Sequence, residues 1–157
     1  MSPGSHSSES HSIRGATDRR GLITFRDEVI AQEPLARAEF DDPIEPEELR
    51  IFFSDGIGDA TSGRFDVGWT VDGDYNIHYT DDGRDLRWDF HPHDYTAPSD
   101  ESHFHPPPDA SNDDGDVEAS CISVSDVEYV ARATIKLWRA MYDSGATTDP
   151  NGLDDPP

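Results

Sequence analysis

Between Arg64 and Phe90, apolar side chains stand at every second position of three short runs, and an Asp-Gly pair sits in each break. Phe65, Val67, Trp69 and Val71 share one parity; so do Tyr75, Ile77 and Tyr79, and then Leu86, Trp88 and Phe90. A period of two is the strand period, so each run has one apolar face and one polar face. The turns decide how the faces line up. Asp82-Gly83 is a two-residue type I′ signal, which pairs Tyr79 with Leu86, Ile77 with Trp88 and Tyr75 with Phe90. For the first break, a two-residue turn would mix the faces. A three-residue loop, Asp72-Gly73-Asp74, sets Trp69 opposite Ile77 and keeps them apart. With the apolar run 49–53 (LRIFF) as a further strand, the expectation is an antiparallel meander of four strands, Leu49 to Phe90.

One greasy sheet face requires a cover. Val127, Val130, Ala131, Thr134, Ile135, Trp138 and Met141 recur with helical period, predicting a helix from Asp126 to Tyr142 that docks on this face. Ser125 with Glu128 forms a capping-box pattern, Val124 with Tyr129 suits a hydrophobic staple, and Gly145 suits the C-terminal stop. The expected fold class is therefore α+β, with the C-terminal helix packed on one face of the meander and disordered acidic tails. Residues 1–20 read as a disordered leader and 21–48 as an N-terminal arm and linker. The arm, 22–40, reads as strand or helix interrupted near Pro34. Residues 49–144 read as a single α+β domain, and 145–157 as a disordered acidic tail.

Charge narrows the setting. The chain of 157 residues has 34 acidic and 12 basic side chains, a formal charge of −22, and Lys136 is its one lysine. Many aspartates with almost no lysine is the composition of proteins dissolved in molar salt, where the Debye length is about 3 Å and self-repulsion is screened. The expectation is a cytoplasmic protein of a halophilic archaeon. In such salt, net charge does not exclude nucleic acid, because a local arginine patch still meets phosphate. The sole cysteine, Cys121, cannot close an internal disulfide. No apolar run of membrane-spanning length and no apolar signal core occurs, so neither a membrane span nor export is expected. No P-loop or dinucleotide glycine motif is present. Arg132, Lys136 and Arg139 make a basic stripe on the predicted helix, read as dipole complement and acid neutralisation rather than as a contact surface.

The polar face of the meander holds the chemistry. Five of the seven histidines, His78, His91, His93, His103 and His105, lie between Tyr75 and Pro107. The register puts His78 opposite Arg87, with Asp66, Gly68, Asn76, Asp85 and Asp89 on the same face; His91 and His93 continue that parity. Three readings stay open. The face is solvated and incidental, as in a non-enzymatic interaction domain. Or two H-x-H pairs hold zinc or another transition metal through His103 and His105, with His91 and His93. Or histidines exchange protons at a phosphodiester that Arg87 holds, with His78, Asp89, His91 and His93 as the remaining catalytic group. The last reading needs no cofactor.

The order strand, Arg87-Trp88-Asp89, His91-Pro92-His93, loop, His103-Phe104-His105-Pro106 resembles the TumE family of toxins. Its members carry an aromatic-rich strand pair with a histidine, an Arg-Tyr-Asp-Asn segment followed by Pro-His-His, and a second histidine-rich segment. The likeness spans about 35 residues, Tyr75 to Pro107; Phe90 stands where the family has Asn, and the family's His-Lys-His ending is missing. It implies a toxin of a toxin–antitoxin pair, with a small antitoxin protein as partner, RNA as a target, and His78, Arg87, Asp89, His91, His93, His103 and His105 as its site.

Overall fold

The computed structural model describes residues 13, 15–91, 102–111, 113, 115–147, 149–153 and 156. Helix α1 (Arg19–Gln32) is followed by strands β1 (Ala36–Phe40), β2 (Leu49–Phe53), β3 (Gly63–Trp69), β4 (Tyr75–Thr80), β5 (Asp85–Phe90), β6 (Ser102–His105) and β7 (Glu118–Ala119), then helix α2 (Val127–Ser144). The strands form one antiparallel sheet in the order β1 to β7. The α+β class and the meander stand, but the sheet has seven strands rather than four. Two of the three extra strands, β6 and β7, lacked a sequence signal for physical reasons. β6 is Ser-His-Phe-His, with one apolar residue, and β7 is two residues long. β1 begins two residues after Pro34, within the arm read as strand or helix, and lies beside β2.

The β4–β5 register is the expected one: Tyr75 faces Phe90, Ile77 faces Trp88 and Tyr79 faces Leu86. The turn that sets it is not type I′, since neither Asp82 nor Gly83 has positive φ. Instead the Asp81 side chain accepts from the Gly83 amide at 3.2 Å and pairs with Arg84. The β3–β4 register differs from the expected one by two residues. Trp69 faces Tyr75 and Val67 faces Ile77. Thr70 and Asp74 extend the ladder, leaving 71–73 as the loop, with Gly73 at φ 84°. A shift of two preserves parity, so every side chain keeps its predicted face.

Both helices share the sheet's core. Leu22, Phe25 and Val29 of α1 are fully buried, as are Val130, Ala131 and Trp138 of α2. Trp138 stacks on Phe53 with ring centroids 3.9 Å apart and on Tyr142 at 4.8 Å. Two residues of the basic stripe bind α2 to α1: Arg132 pairs with Glu28 and Arg139 with Glu33. Helix α2 starts at Val127 with Asp126 as its N-cap and no side-chain capping bond, so the Ser125–Glu128 box is not made; Gly145, at φ 72°, ends it. Within the expected leader, the Asp18 amide donates to the carbonyl of Trp69 at the end of β3, and the Ala16 carbonyl accepts from Val71. Asn151, in the expected tail, accepts from the Trp88 indole at 3.1 Å and from the Cys121 amide at 2.8 Å. Among the described residues, no helix is long and apolar enough to cross a membrane.

Candidate functional site

The polar sheet face is built by parity. On β5, Asp85, Arg87 and Asp89 point to it; β4 adds His78 directly opposite Arg87. On the other side of β5, β6 sets His105 opposite Arg87 and His103 opposite Asp89. Two adjacent strand pairings thus draw five predicted residues together with His91, which follows β5. They form two layers of different character.

The outer layer is open. The His78 side chain is 36% exposed, and its Nε2 lies 3.0 Å from Asp85 Oδ1. Thr80 Oγ1 donates to the same oxygen at 2.8 Å, which holds the carboxylate in place. An ionised carboxylate only accepts, so His78 Nε2 carries the proton and Nδ1 is left as the basic nitrogen. Arg87, about one-fifth exposed, stands beside it. A groove begins at Thr80 and is lined further by Arg64, Phe52, Arg37, Asp81 and Asp82; Arg64 pairs with Asp66 at 3.0 Å, and the Arg37 guanidinium lies over the Phe52 ring at 4.5 Å.

The inner layer is closed. Asp89, His91, His103 and His105 have no exposed surface. Asp89 Oδ2 takes a 2.7 Å bond from Arg87 Nε and has three imidazole nitrogens around it: His105 Nε2 at 3.1 Å, and His91 and His103 Nε2 each at 3.6 Å. His105 is oriented from behind, because its Nδ1 donates to the Ser111 carbonyl at 2.8 Å. Burial pushes the Asp89 carboxyl up, but contacts from His105 and His91 and the charge of Arg87 outweigh it and hold the group well below the usual carboxylate range. Asp89, His103 and His105 each offer a ligand atom within 4.8 Å of the other two, the donor set of a transition-metal site.

His78 and Arg87 therefore stand side by side as expected. Asp89, His91, His103 and His105 come together beneath Arg87, enclosed. His93 lies outside the described residues. Asp85 and Thr80 were missed as partners of His78, although Asp85 shares the parity of Arg87 and lies one turn from His78. Ser111 could not be found from sequence, because the loop that brings its carbonyl to His105 has no periodic pattern.

The family model described as Toxin TumE matches residues 26–141. This interval contains the whole sheet, both layers of the site and nearly all of α2. No curated protein and no solved structure matches the chain.

Proposed function

We propose, from the premise that this chain belongs to the TumE toxin family, that it is the toxin of a toxin–antitoxin pair and that it acts on RNA by proton transfer at the open layer of the site. The observation that carries this reading is the His78–Asp85 dyad, 3.0 Å apart, on the strand register next to Arg87. Asp85 fixes the tautomer, so His78 Nδ1 takes the proton of a ribose 2′-hydroxyl. The 2′-oxygen bonds to phosphorus, the bond to the 5′-oxygen breaks, and that oxygen leaves with a proton from a second donor. Products are a 2′,3′-cyclic phosphate and a 5′-hydroxyl. Arg87 holds a non-bridging phosphate oxygen as charge develops. Asp89 is a positioning residue: its 2.7 Å bond fixes the guanidinium. The second donor is a histidine of the sequence segment His91-Pro92-His93; His91 is enclosed, and His93 lies outside the described residues.

The chemistry needs the dyad and the arginine but not the antitoxin contact. Expression of the wild type in a salt-tolerant host should arrest growth, and co-expression of the product of an adjacent small gene should relieve the arrest. His78→Ala and Arg87→Ala should each abolish inhibition with unchanged circular dichroism. Growth arrest that persists in both variants removes the dyad from the mechanism. Wild type that is harmless in that host favours the alternative of a non-enzymatic interaction domain.

A further inference from the structure

The enclosed layer brings ligand atoms of Asp89, His103 and His105 within 4.8 Å of one another, on side chains with no exposed surface. The Ser111 carbonyl only accepts, so His105 Nδ1 carries its proton, and in the neutral ring Nε2 presents a lone pair. That lone pair faces a carboxylate oxygen 3.1 Å away. The same oxygen already accepts from Arg87, and His103 Nε2 stands 3.6 Å from it. Its partner oxygen, Asp89 Oδ1, is buried and accepts no hydrogen bond from any described residue. Arg87 meets the carboxylate through Oδ2, and a buried oxygen such as Oδ1 is costly without a partner of its own, which a bound cation supplies.

The spacing is that of ligands around a metal. With bonds of about 2.0–2.1 Å, two ligands of a tetrahedral ion lie about 3.3 Å apart. The separations of 3.1 and 3.6 Å bracket that edge. The Nδ1–H bond of His105 to a backbone carbonyl is the outer support by which a metal-binding imidazole is held in the right tautomer. We propose that Asp89, His103 and His105 bind one divalent transition-metal ion of the zinc class beneath Arg87. His91, its Nε2 also 3.6 Å from Asp89 Oδ2, lies outside the set whose atoms are all within 4.8 Å of one another, so three protein ligands are assigned. The ion ties β6 to β5, a strand with one apolar residue to the strand that carries Arg87. This inference does not depend on the RNA reading, because the ion is placed by the enclosed layer and the proton transfer by the open one.

The test uses the full chain in molar potassium chloride. Purified wild type is assayed for bound metal, stripped with a chelator, and titrated with cobalt(II) followed by its visible absorption. Expected are one ion per chain, the intense absorption of a tetrahedral site with nitrogen and oxygen ligands, and a melting temperature that falls on stripping and returns with zinc. His105→Gln and Asp89→Asn should lose the absorption and the stoichiometry, whereas His78→Ala should retain both. Should the two ligand variants fail to fold, strip-and-refill of the wild type decides alone. The proposal is overturned if stripped wild type takes up no cobalt and its melting temperature ignores zinc. It is equally overturned if folded His105→Gln still binds one ion in the same spectrum. Loss of growth inhibition in His78→Ala with the metal retained separates the two layers.

Discussion

Trp138→Ala is the sharpest test of how the sheet is covered. The indole has no exposed surface and lies flat on Phe53, 3.9 Å between centroids and 7° between planes, with Tyr142 stacked on its other side. A tryptophan side chain buries roughly 200 Å², which at about 25 cal/mol per Å² is ~5 kcal/mol of transfer free energy. The methyl of alanine retains a little of this, and partial collapse of the neighbours recovers more. The cavity left behind acts in the opposite sense. The expected net loss is about 3–5 kcal/mol, against a total stability of about 5–15 kcal/mol for a domain. Trp138→Phe keeps one ring on Phe53 and should lose markedly less. Urea unfolding in molar potassium chloride, followed by far-ultraviolet circular dichroism, measures both. A loss under about 1 kcal/mol for the alanine variant, at unchanged m, would refute docking of α2 through this residue.

Two further outcomes follow from the packing and the charge. Asn151→Ala deprives the Trp88 indole and the Cys121 amide of their acceptor, and should lower the urea midpoint by about 1–3 kcal/mol equivalent; an unchanged midpoint would show that the C-terminal segment does not contribute. With a formal charge of −22, diluting the salt from molar to about 0.1 M lengthens the Debye length roughly threefold, so the melting temperature should drop; a chain equally stable in dilute buffer is not adapted to high salt.

The parts legible from sequence are those where a local pattern coincides with a tertiary constraint. Alternation from Phe65 to Phe90 named the faces, and the two-residue connection Asp82-Gly83 between Asp81 and Arg84 then set His78 opposite Arg87. Parity also survived the error at the β3–β4 loop, where Thr70 and Asp74 extend the ladder. What escaped was set by contacts between distant segments. The apolar stripe of α1, Leu22, Phe25 and Val29, is short, and α1 is held by Glu28 and Glu33 meeting arginines more than a hundred residues later. The strand identity of β6 comes from β5, not from its own histidines. Hence the histidine spacings suggested ligands, but the enclosure of His103 and His105 around Asp89 needed the sheet.

The proposed proton transfer on RNA rests on the His78–Asp85 dyad. Its most direct measurement is end-group analysis of a defined single-stranded RNA incubated with purified protein in molar salt. The wild type should leave 2′,3′-cyclic phosphate and 5′-hydroxyl ends, Arg87→Ala should slow cleavage by about 10²-fold or more, as loss of one charge-stabilising donor does, and His78→Ala should leave the RNA intact. RNA left whole by the wild type, or cleaved equally well by His78→Ala, would contradict the account.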